Sequence, residues 1–398
     1  MPSPAEPTWN WQSDDWGVFT HDSAALLPAL ATARRAQGEV LGHARAIGLD
    51  ETHRAQALIW TAESLATAAI EGEALNLDGV RSSIAKRLGL PGGKTARQRP
   101  VEGLLDMMQD ASDEWRAPLT AERLCGWQSA LFPSGFAGIN RITTGAFRTG
   151  TEPMQIVSGP VTQRKVLFEA PPARRVAREM GQFIKWFNRG AGEAGTQDGK
   201  SAKGGPSARL DGILRAGLAH LWFESIHPFE DGNGRVGRAI ADLALAQDVQ
   251  SGVRLISLAA ALSAERDSYY DELHAASRAD AGITRWLIWF CNTFTAACTR
   301  SVTVIDSSLA KARFWAVHAH APLNAAQRKI VNRLLDTGPR GFAGDLTTSK
   351  YLGIAGVSRA TAFRDLAGLV QGGLLAAAGQ GKATRYFINL PGWAPASN

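Results

Sequence analysis

The sequence predicts a mainly α-helical protein with one β-hairpin near its middle and a small C-terminal α+β domain. Apolar residues recur at helical spacing over most of the 398 residues. Two short β-prone runs flank a single turn in the central part, and the last stretch indicates three helices followed by a two-strand ribbon. A chain of this length can hold two or three domains. We predict domains over 1–100, 101–320 and 321–398.

Composition fits a soluble globular protein and excludes few functions. Apolar residues make up 45% of the chain, and 43 Lys and Arg against 37 Asp and Glu give a formal charge of +6, which suits nucleotides, nucleic acid or neither. Cys125, Cys291 and Cys298 are odd in number and lack metal-type spacing, which argues for a reducing compartment. No signal-peptide pattern is visible, and no apolar run approaches the ~18 residues that span a bilayer. We expect a cytoplasmic protein that does not enter a membrane.

The N-terminal region is predicted to be helical after a short arm. Residues 1–20 are rich in Trp and Pro and are expected to pack as an arm on the first helices. Helical patterning begins near Ala24, and a second helix from about Thr52 ends at Glu71 and Gly72, since glycine is an ordinary helix stop.

The central region alternates helices with irregular segments. The predicted elements are a polar connection over 92–100, helices over 101–112 and 120–131, an irregular segment over 132–150, a hairpin of 154–157 and 165–168 turned near 158–160, a helix opened by Pro171 and Pro172, a Gly- and Ser-rich surface loop over 189–207, and a pair of helices over 208–250.

The helix pair carries the most informative stretch, HPFEDGNGRVGR at 227–238. Because proline disfavours helical geometry in the residue before it, His227 is expected to be extended, on a loop, and free to point outward. Gly232, Asn233 and Gly234 can aim consecutive N–H groups into one hollow, which is an anion nest. The helical pattern resumes immediately afterwards, so the nest lies at a helix N-terminus.

Charge placement at this helix start is unusual. A helix N-terminus favours carboxylates, yet Arg235 and Arg238 occupy the first turn, three positions apart and therefore on one face. Their forked donors strengthen a site that already attracts anions, and a polyphosphate is the simplest ligand. Together with an acidic residue for a divalent cation and His227 for proton abstraction, these residue types suit phosphoryl-type transfer.

Two other interpretations of the motif were weighed. Residues 232–237 match the dinucleotide pattern GxGxxG, but that pattern requires a preceding strand, whereas Leu218, Leu221, Trp222 and Ile226 are spaced like a helix. An inert glycine-rich loop with a core histidine would explain any one of these residues. It explains the whole set poorly.

The stretch resembles the signature of the Fic family, HPFx[D/E]GNGRxxR, at every fixed position. Members are mostly helical and transfer AMP from ATP to a hydroxyl on a target protein. The resemblance implies that His227 is the general base and that Asp231 binds Mg²⁺. It also implies that the nucleotide phosphates are bound by the segment from Gly232 to Arg238: Gly232, Asn233, Gly234, Arg235, Val236, Gly237 and Arg238, with Arg238 on the γ-phosphate.

The family also suggests autoinhibition. Many members carry an inhibitory helix with the pattern [S/T]xxxE[G/N], and the sequence TAAIEG from Thr67 to Gly72 resembles it. The resemblance implies that Glu71 pairs with Arg238 and blocks the γ-phosphate. In isolation, Thr67 and Glu71 would be a solvated pair one turn apart. The region from Trp9 to Leu90 also resembles the helical N-terminal extension of one Fic subgroup.

Further segments resemble Fic proteins with less specificity. Residues 145–148 match a GxFR segment. The hairpin at about 154–168 resembles the family's flap, on whose edge the target backbone would add as a strand, and a plain structural hairpin is the alternative. Tyr269 and Tyr270 match a tyrosine pair near the nucleotide, although Ser277 replaces the asparagine that follows. His220 lies seven positions before the motif histidine without a third ligand nearby, so we expect a packed residue and no zinc site.

The C-terminal region resembles a winged helix-turn-helix domain of the kind often attached to Fic proteins. Three helices are predicted, the third capped by Ser358, before a ribbon turned at 379–382. The residues that would contact DNA are Arg359, Arg364, Lys382 and Arg385. Asp365 on the same helix would repel phosphate, so DNA binding and protein docking both stay open.

The resemblance thus implies a protein adenylyltransferase that uses ATP and Mg²⁺ to modify a Ser, Thr or Tyr hydroxyl. The alternatives are removal of AMP, transfer of another nucleotide or phosphate group, and a nucleotide-sensing DNA-binding regulator. The predicted partner is a target protein bound along the flap. DNA and a homodimer are left open, and no membrane is expected.

Overall fold

A computed structural model of the chain describes residues 8–46, 49–91, 99–158, 165–190, 210–279, 282–338, 345–391 and 393. The chain divides into two compact units: unit 1 is Met1–Arg45 with His53–Val302, and unit 2 is Ala46–Thr52 with Thr303–Asn398. The protein is mainly helical with small two-stranded hairpins, as predicted. The domain boundaries at 100 and 320 stay predictions.

Helices build most of the region up to residue 317. They are α1 (Ser23–Ala46), α2 (Leu49–Ile70), α3 (Leu77–Arg87), α4 (Arg99–Asp113), α5 (Ala121–Leu131), α6 (Ala173–Gly190), α7 (Gly212–Ile226), α8 (Asn233–Val249), α9 (Leu258–Ala264), α10 (Arg266–Ala276) and α11 (Thr284–Val317). The strands of this region are β1 (Phe136–Ala137), β2 (Asn140–Arg141), β3 (Gln155–Ser158) and β4 (Lys165–Glu169).

Helix α7 lies at the centre of unit 1. Every residue from Ile213 to Ile226 is buried. The helix has no polar stripe, which is the pattern of a helix surrounded on all sides. It packs along α8, and the short loop between the two helices therefore projects from a rigid base.

The hairpin of β3 and β4 forms where the sequence predicts it. The two strands pair antiparallel, with a register irregularity between Ile156 and Val157. The predicted turn at 158–160 lies mostly outside the described residues, as do most of the connection over 92–100 and of the loop over 189–207. The pair of β1 and β2 was missed, since 132–150 was expected to be irregular.

The N-terminal arm packs elsewhere than expected. Trp9 and Trp11 form a small core with Phe168 and Ala170 at β4, and the N–H of Asn10 donates to the carbonyl oxygen of Ser277 at 2.8 Å. The prediction that the arm covers the first helices was therefore wrong. The rings of Trp9 and Trp11 pack against apolar residues at the hairpin instead.

A buried ionic triad joins α2 to α8. Arg254 donates to Glu63 of α2 at 2.8 Å and to Asp242 of α8 at 2.5 Å, and all three side chains are less than a tenth exposed. Ser257 and the N–H of Ala259 satisfy the other oxygen of Glu63. Buried charges of this kind are stable only when paired and hydrogen-bonded.

Unit 2 contains the predicted three helices and ribbon: α12 (Ala325–Asp336), α13 (Thr348–Ala355), α14 (Arg359–Gln371), β5 (Leu375–Ala378) and β6 (Arg385–Ile388). Ser358 caps α14 as predicted, since its hydroxyl accepts from the N–H of Thr361. Among the described residues, no helix is both long enough and apolar enough to cross a membrane.

The expected role of Asp365 was wrong. Its carboxylate is buried and accepts hydrogen bonds from the Tyr351 hydroxyl and the Asn324 amide, each at 2.9 Å. It is therefore part of the core of unit 2 and does not face a phosphate. The assignment as a winged helix, and DNA contacts by Arg359, Arg364, Lys382 and Arg385, stay predictions; the side chain of Lys382 is outside the described set.

Candidate active site

The loop between α7 and α8 begins at His227, whose backbone differs from the prediction. His227 caps α7 in the left-handed conformation, with φ of 50°, and its N–H donates to the carbonyl oxygen of Phe223 at 2.9 Å. Left-handed geometry in a non-glycine residue is uncommon and marks a constrained position. The side chain is 13% exposed, so the imidazole is mostly enclosed and does not point freely outward.

Two residues hold this loop in shape. The Asn233 amide donates to the carbonyl oxygen of Phe229 at 2.8 Å and accepts from its N–H at 2.9 Å. Arg148 donates from Nε to the carbonyl oxygen of His227, and its N–H bonds Pro228. The GxFR segment therefore holds the loop through the carbonyl oxygens of His227 and Pro228. The Asn233 side chain is therefore bonded within the loop, and the predicted role of Asn233 on the phosphates stays a prediction.

Helix α8 starts with the predicted glycine-rich turn. Gly232 is the N-cap residue with φ of 89°, a value that favours glycine. At Gly234, a Cβ atom would overlap Glu71 Oε1 and lie 3.1 Å from Arg238 Nη1. The absence of a side chain at Gly234 therefore allows other charged groups to approach the helix start. Val236 and Gly237 follow in the first turn and are buried.

Arg238 of the motif donates hydrogen bonds to two residues at the C-terminal end of α2. Arg238 is buried, donates from Nε to the Thr67 hydroxyl at 2.7 Å, and donates from Nη2 to Glu71 Oε1 at 2.7 Å. Both residues of the suspected inhibitory motif therefore contact the arginine that the resemblance assigns to the γ-phosphate.

A second contact of this kind was missed from the sequence. Arg235 donates from Nη1 to Glu73 Oε1 at 2.9 Å, and it lies over the Phe132 ring at 4.9 Å. Glu73 lies two positions after Glu71, in the same segment that follows α2. That spacing beside a glycine was the only signal in the sequence that could have suggested it.

Charges around the site shift several pKa values. Burial alone would raise the pKa of Glu71, but the charges of Arg238 and Arg235 outweigh it and hold that pKa below its ordinary value. Burial lowers the pKa of His227 to about 4, and the charge of Arg148 adds to this. His227 is therefore a neutral imidazole near pH 7, which is the form that can accept a proton.

Glu224 lies one turn before His227, and its carboxylate is 3.9 Å from Nδ1 of that histidine. The pKa of Glu224 is raised to about 8, chiefly by burial; the charge of Arg238 opposes this shift and that of Glu71 adds to it. A carboxylic acid that stays neutral at pH 7 beside a candidate base is typical of functional sites. Glu224 was missed from the sequence.

Tyr269, which the family resemblance places near the nucleotide, lies in the core beside His220. Tyr269 is buried, and its hydroxyl is 2.7 Å from Nε2 of His220, which is itself buried as expected for a packed histidine. Tyr269 is therefore part of the core in this structure, and its predicted position near the nucleotide stays a prediction. Tyr270 is less buried and donates to the carbonyl oxygen of Ile70 at 3.3 Å, at the end of α2.

Asp231 has the exposure that a cation ligand needs. Its side chain is 42% exposed, and one oxygen accepts from the N–H of Gly232 and from Arg235. No group of three potential metal-ligating side chains occurs in the part of the chain that the structure describes. Mg²⁺ commonly uses one or two carboxylates with phosphate oxygens and waters, so a single carboxylate fits it.

Comparison with known proteins adds family matches. Residues 118–245 match the model of the Fic/DOC family, and residues 9–90 match a domain of unknown function, DUF4172. Each is a sequence match to part of the chain, and the first contains the whole loop described above.

Solved structures are similar in fold. A Fic domain-containing signaling protein from Bacteroides thetaiotaomicron is 17% identical, with a TM-score of 0.51 over 70% of this chain and 97% of that chain. A Fic family protein from Desulfovibrio desulfuricans is 19% identical, with a TM-score of 0.49 over 93% and 97%. Fic-1 from C. elegans is 17% identical, with a TM-score of 0.46 over 72% and 73%. At these identities, the Bacteroides structure supports the fold alone.

Proposed function

We propose that the protein is an adenylyltransferase, because residues 118–245 match the Fic/DOC family model. In this proposal it transfers AMP from ATP to a Ser, Thr or Tyr hydroxyl of a target protein, and Glu71 inhibits it. The family match supports a Fic-type transferase. The residues of the loop support transfer of AMP to a hydroxyl in particular.

One observation carries the proposal. A neutral, mostly enclosed imidazole at His227, where the loop begins, and a buried guanidinium at Arg238, within α8, flank the glycine-rich start of that helix in the sequence. The helix start supplies N–H groups and a positive dipole end for phosphates. A base beside a phosphate site is what phosphoryl-type transfer needs.

The proposed reaction moves one proton and exchanges one bond. His227 accepts the proton of the target hydroxyl at a ring nitrogen while the hydroxyl oxygen forms a bond to the α-phosphorus. The bond from the α-phosphorus to the oxygen that bridges it to the β-phosphorus breaks, and pyrophosphate leaves with that electron pair. Arg235 and Arg238 stabilise the charge that accumulates on the phosphates.

Asp231 is the residue that would hold Mg²⁺. A divalent cation there supplies charge neutralisation to the phosphate oxygens. Arg235 and the N–H of Gly232 already bond one oxygen of this carboxylate and so fix its orientation.

Autoinhibition follows from competition for Arg238. Glu71 and Thr67 occupy the guanidinium that a γ-phosphate would need, and the carboxylate of Glu71 would also repel it. A charged carboxylate at this position is favoured, because the pKa of Glu71 lies below its ordinary value. Nucleotide bound beside an intact Glu71 would therefore take a nonproductive pose.

The hairpin of β3 and β4 is the proposed docking edge for the target. Its strands pair only with each other among the described residues, and Val157 and Val166 are 40% and 38% exposed. An unpaired strand edge offers backbone donors and acceptors to an extended peptide and demands little of its side chains.

Mass spectrometry of the purified protein with Mg²⁺ and ATP tests the proposal. A Glu71→Ala variant that gains the mass of AMP on itself or on added lysate proteins would support it. Labelling from another nucleotide in place of ATP would support a different transfer. Loss of AMP from a modified protein without ATP would support removal. No covalent change with any nucleotide would contradict the proposed activity.

A further inference from the structure

A cavity of about 510 Å³ opens beside Arg235, on the side where the chain leaves α2. Its walls are mostly apolar and include Leu104, Leu131, Phe132 and Phe136. Arg235 and Glu73 are the charged residues that line it within the described part of the chain. Sites for small organic ligands have this character: a concave, mainly apolar volume of roughly 300–1,000 Å³ with a few polar groups.

Arg235 has hydrogen-bonding capacity that its protein contacts do not use. The residue is 6% exposed, and Nε is buried with no hydrogen-bond partner. Nη1 donates to Glu73, and Nη2 makes only a long bond of 3.4 Å to Asp231. Buried donors are normally satisfied, and a planar guanidinium matches a carboxylate or phosphate through two parallel bonds.

Glu73 is the group that such an anion would replace. Its side chain is 46% exposed, so water can solvate its carboxylate once Arg235 releases it. The Phe132 ring, with the guanidinium above it at 4.9 Å, forms a wall of the cavity next to the charge. A ligand with an apolar body and one anionic end matches both features.

We propose that this cavity binds a small organic anion, whose apolar body packs on Leu104, Leu131 and Phe132 and whose carboxylate or phosphate displaces Glu73 from Arg235. Binding by itself does not depend on the proposed function. Its consequence for catalysis does, because displacement of Glu73 disturbs the same turn that presents Glu71 to Arg238.

Calorimetry on the full chain, without nucleotide, tests the charge requirement. The probes are 4-phenylbutyrate and phenyl phosphate, with 4-phenylbutanol as the uncharged analogue. We expect either anion to bind at least tenfold more tightly than the alcohol, and Arg235→Gln to remove this preference. Glu73→Gln should tighten anion binding by about fivefold or more, since it removes the competitor. Equal binding of acids and alcohol to the unmodified chain, or no tightening by Glu73→Gln, would overturn the proposal.

A substitution at the cavity rim tests the location. Ser134 lines the cavity and is exposed, so Ser134→Trp should fill it with little effect on folding, whereas Ala31→Trp on α1 is an exposed control away from it. We expect Ser134→Trp to abolish probe binding while Mg²⁺-ADP still binds, and Ala31→Trp to change neither. Unchanged probe binding in Ser134→Trp would refute the location. Because these measurements involve no transfer reaction, failure of the cavity proposal and failure of the adenylyltransferase proposal are separate results.

Discussion

Glu71 and Arg238 are joined by a 2.7 Å hydrogen bond between Oε1 and Nη2, across 167 positions of the sequence. The contact connects the end of α2 to the second turn of α8. Thr67, one turn earlier on α2, accepts from Nε of the same guanidinium. Arg238 is thereby held from two positions of one helix face, and four predictions follow from this site and its supports.

Replacing Glu71 with alanine should activate transfer. Removing the carboxylate frees Arg238 for phosphate, and a coupling of this kind is typically worth about 5- to 150-fold. The rate of AMP incorporation measures it. Asp106→Ala is the control, because Asp106 also pairs with an arginine, Arg87, but its side chain is 59% exposed. Equal rates in the two variants would make Glu71 an ordinary helix-end residue.

Replacing His227 with alanine should abolish transfer and preserve nucleotide binding. A positioned base typically contributes about 10²- to 10⁴-fold to the rate. The measurement compares AMP incorporation with Mg²⁺-ATP affinity in the Glu71→Ala background. His21→Ala, a partly exposed histidine in the N-terminal arm, is the control. A fully active His227→Ala protein would assign proton transfer to another group.

Replacing Asn233 with alanine should destabilise the protein even without nucleotide. The N–H and carbonyl groups of the buried Phe229 would lose their partners, and an unsatisfied buried polar group costs about 1–3 kcal/mol. Urea unfolding of the ligand-free protein measures the loss, with the exposed Asn140→Ala as control. A loss of nucleotide affinity with unchanged stability would instead support the predicted role of Asn233 on the phosphates.

Replacing Glu224 with glutamine should flatten the dependence of stability on pH. The pKa of Glu224 is raised to about 8 from its ordinary 4.5, chiefly by burial, so the folded state binds more protons than the unfolded state between these values. The free energy of unfolding should therefore fall as pH rises through this window, by an amount on the order of a few kcal/mol.

His227 opposes this trend at lower pH, because its folded pKa of about 4 lies below its ordinary 6.5 and its contribution is lost as pH falls through that range. Burial also raises the pKa of Asp242 to about 7, so the slope between pH 6.5 and 8.5 is assigned to Glu224 only by the difference between Glu224→Gln and the unmodified chain. The same slope in Glu224→Gln and in the unmodified chain would show that Glu224 does not titrate there.

Local signals in the sequence predicted several turns and helix ends. Gly232 and Gly72 both have the left-handed backbone that favours glycine, and Gly72 ends a helix. Ser358 caps another helix. Each of these features depends only on residues close in the sequence. The arrangement of 227–238 and the pairing of Glu71 with Arg238 came from the family resemblance. Site assignments of ATP, Mg²⁺ and the target edge stay predictions.

The contacts that the sequence did not indicate join residues that lie far apart in the chain. Arg235 meets Glu73 from 162 positions away, and Tyr269 meets His220 from 49 positions away. Asp365 was expected on the surface because charge alone suggests exposure, whereas Tyr351 and Asn324 bury it. Such pairs depend on how helices pack, which spacing along one helix does not encode.

The buried triad of Glu63, Arg254 and Asp242 has a consequence for the speed of regulation. It ties α2 to α8 by contacts that do not involve Glu71, so α2 can stay docked while the carboxylate rotates away. Detaching the whole helix would break the pair of Glu63 and Arg254 and leave Arg254 without that partner, which would be slow and costly. Rotation of one partly exposed side chain takes place in nanoseconds or less. We therefore expect the protein to respond to an activating signal without delay from any large rearrangement.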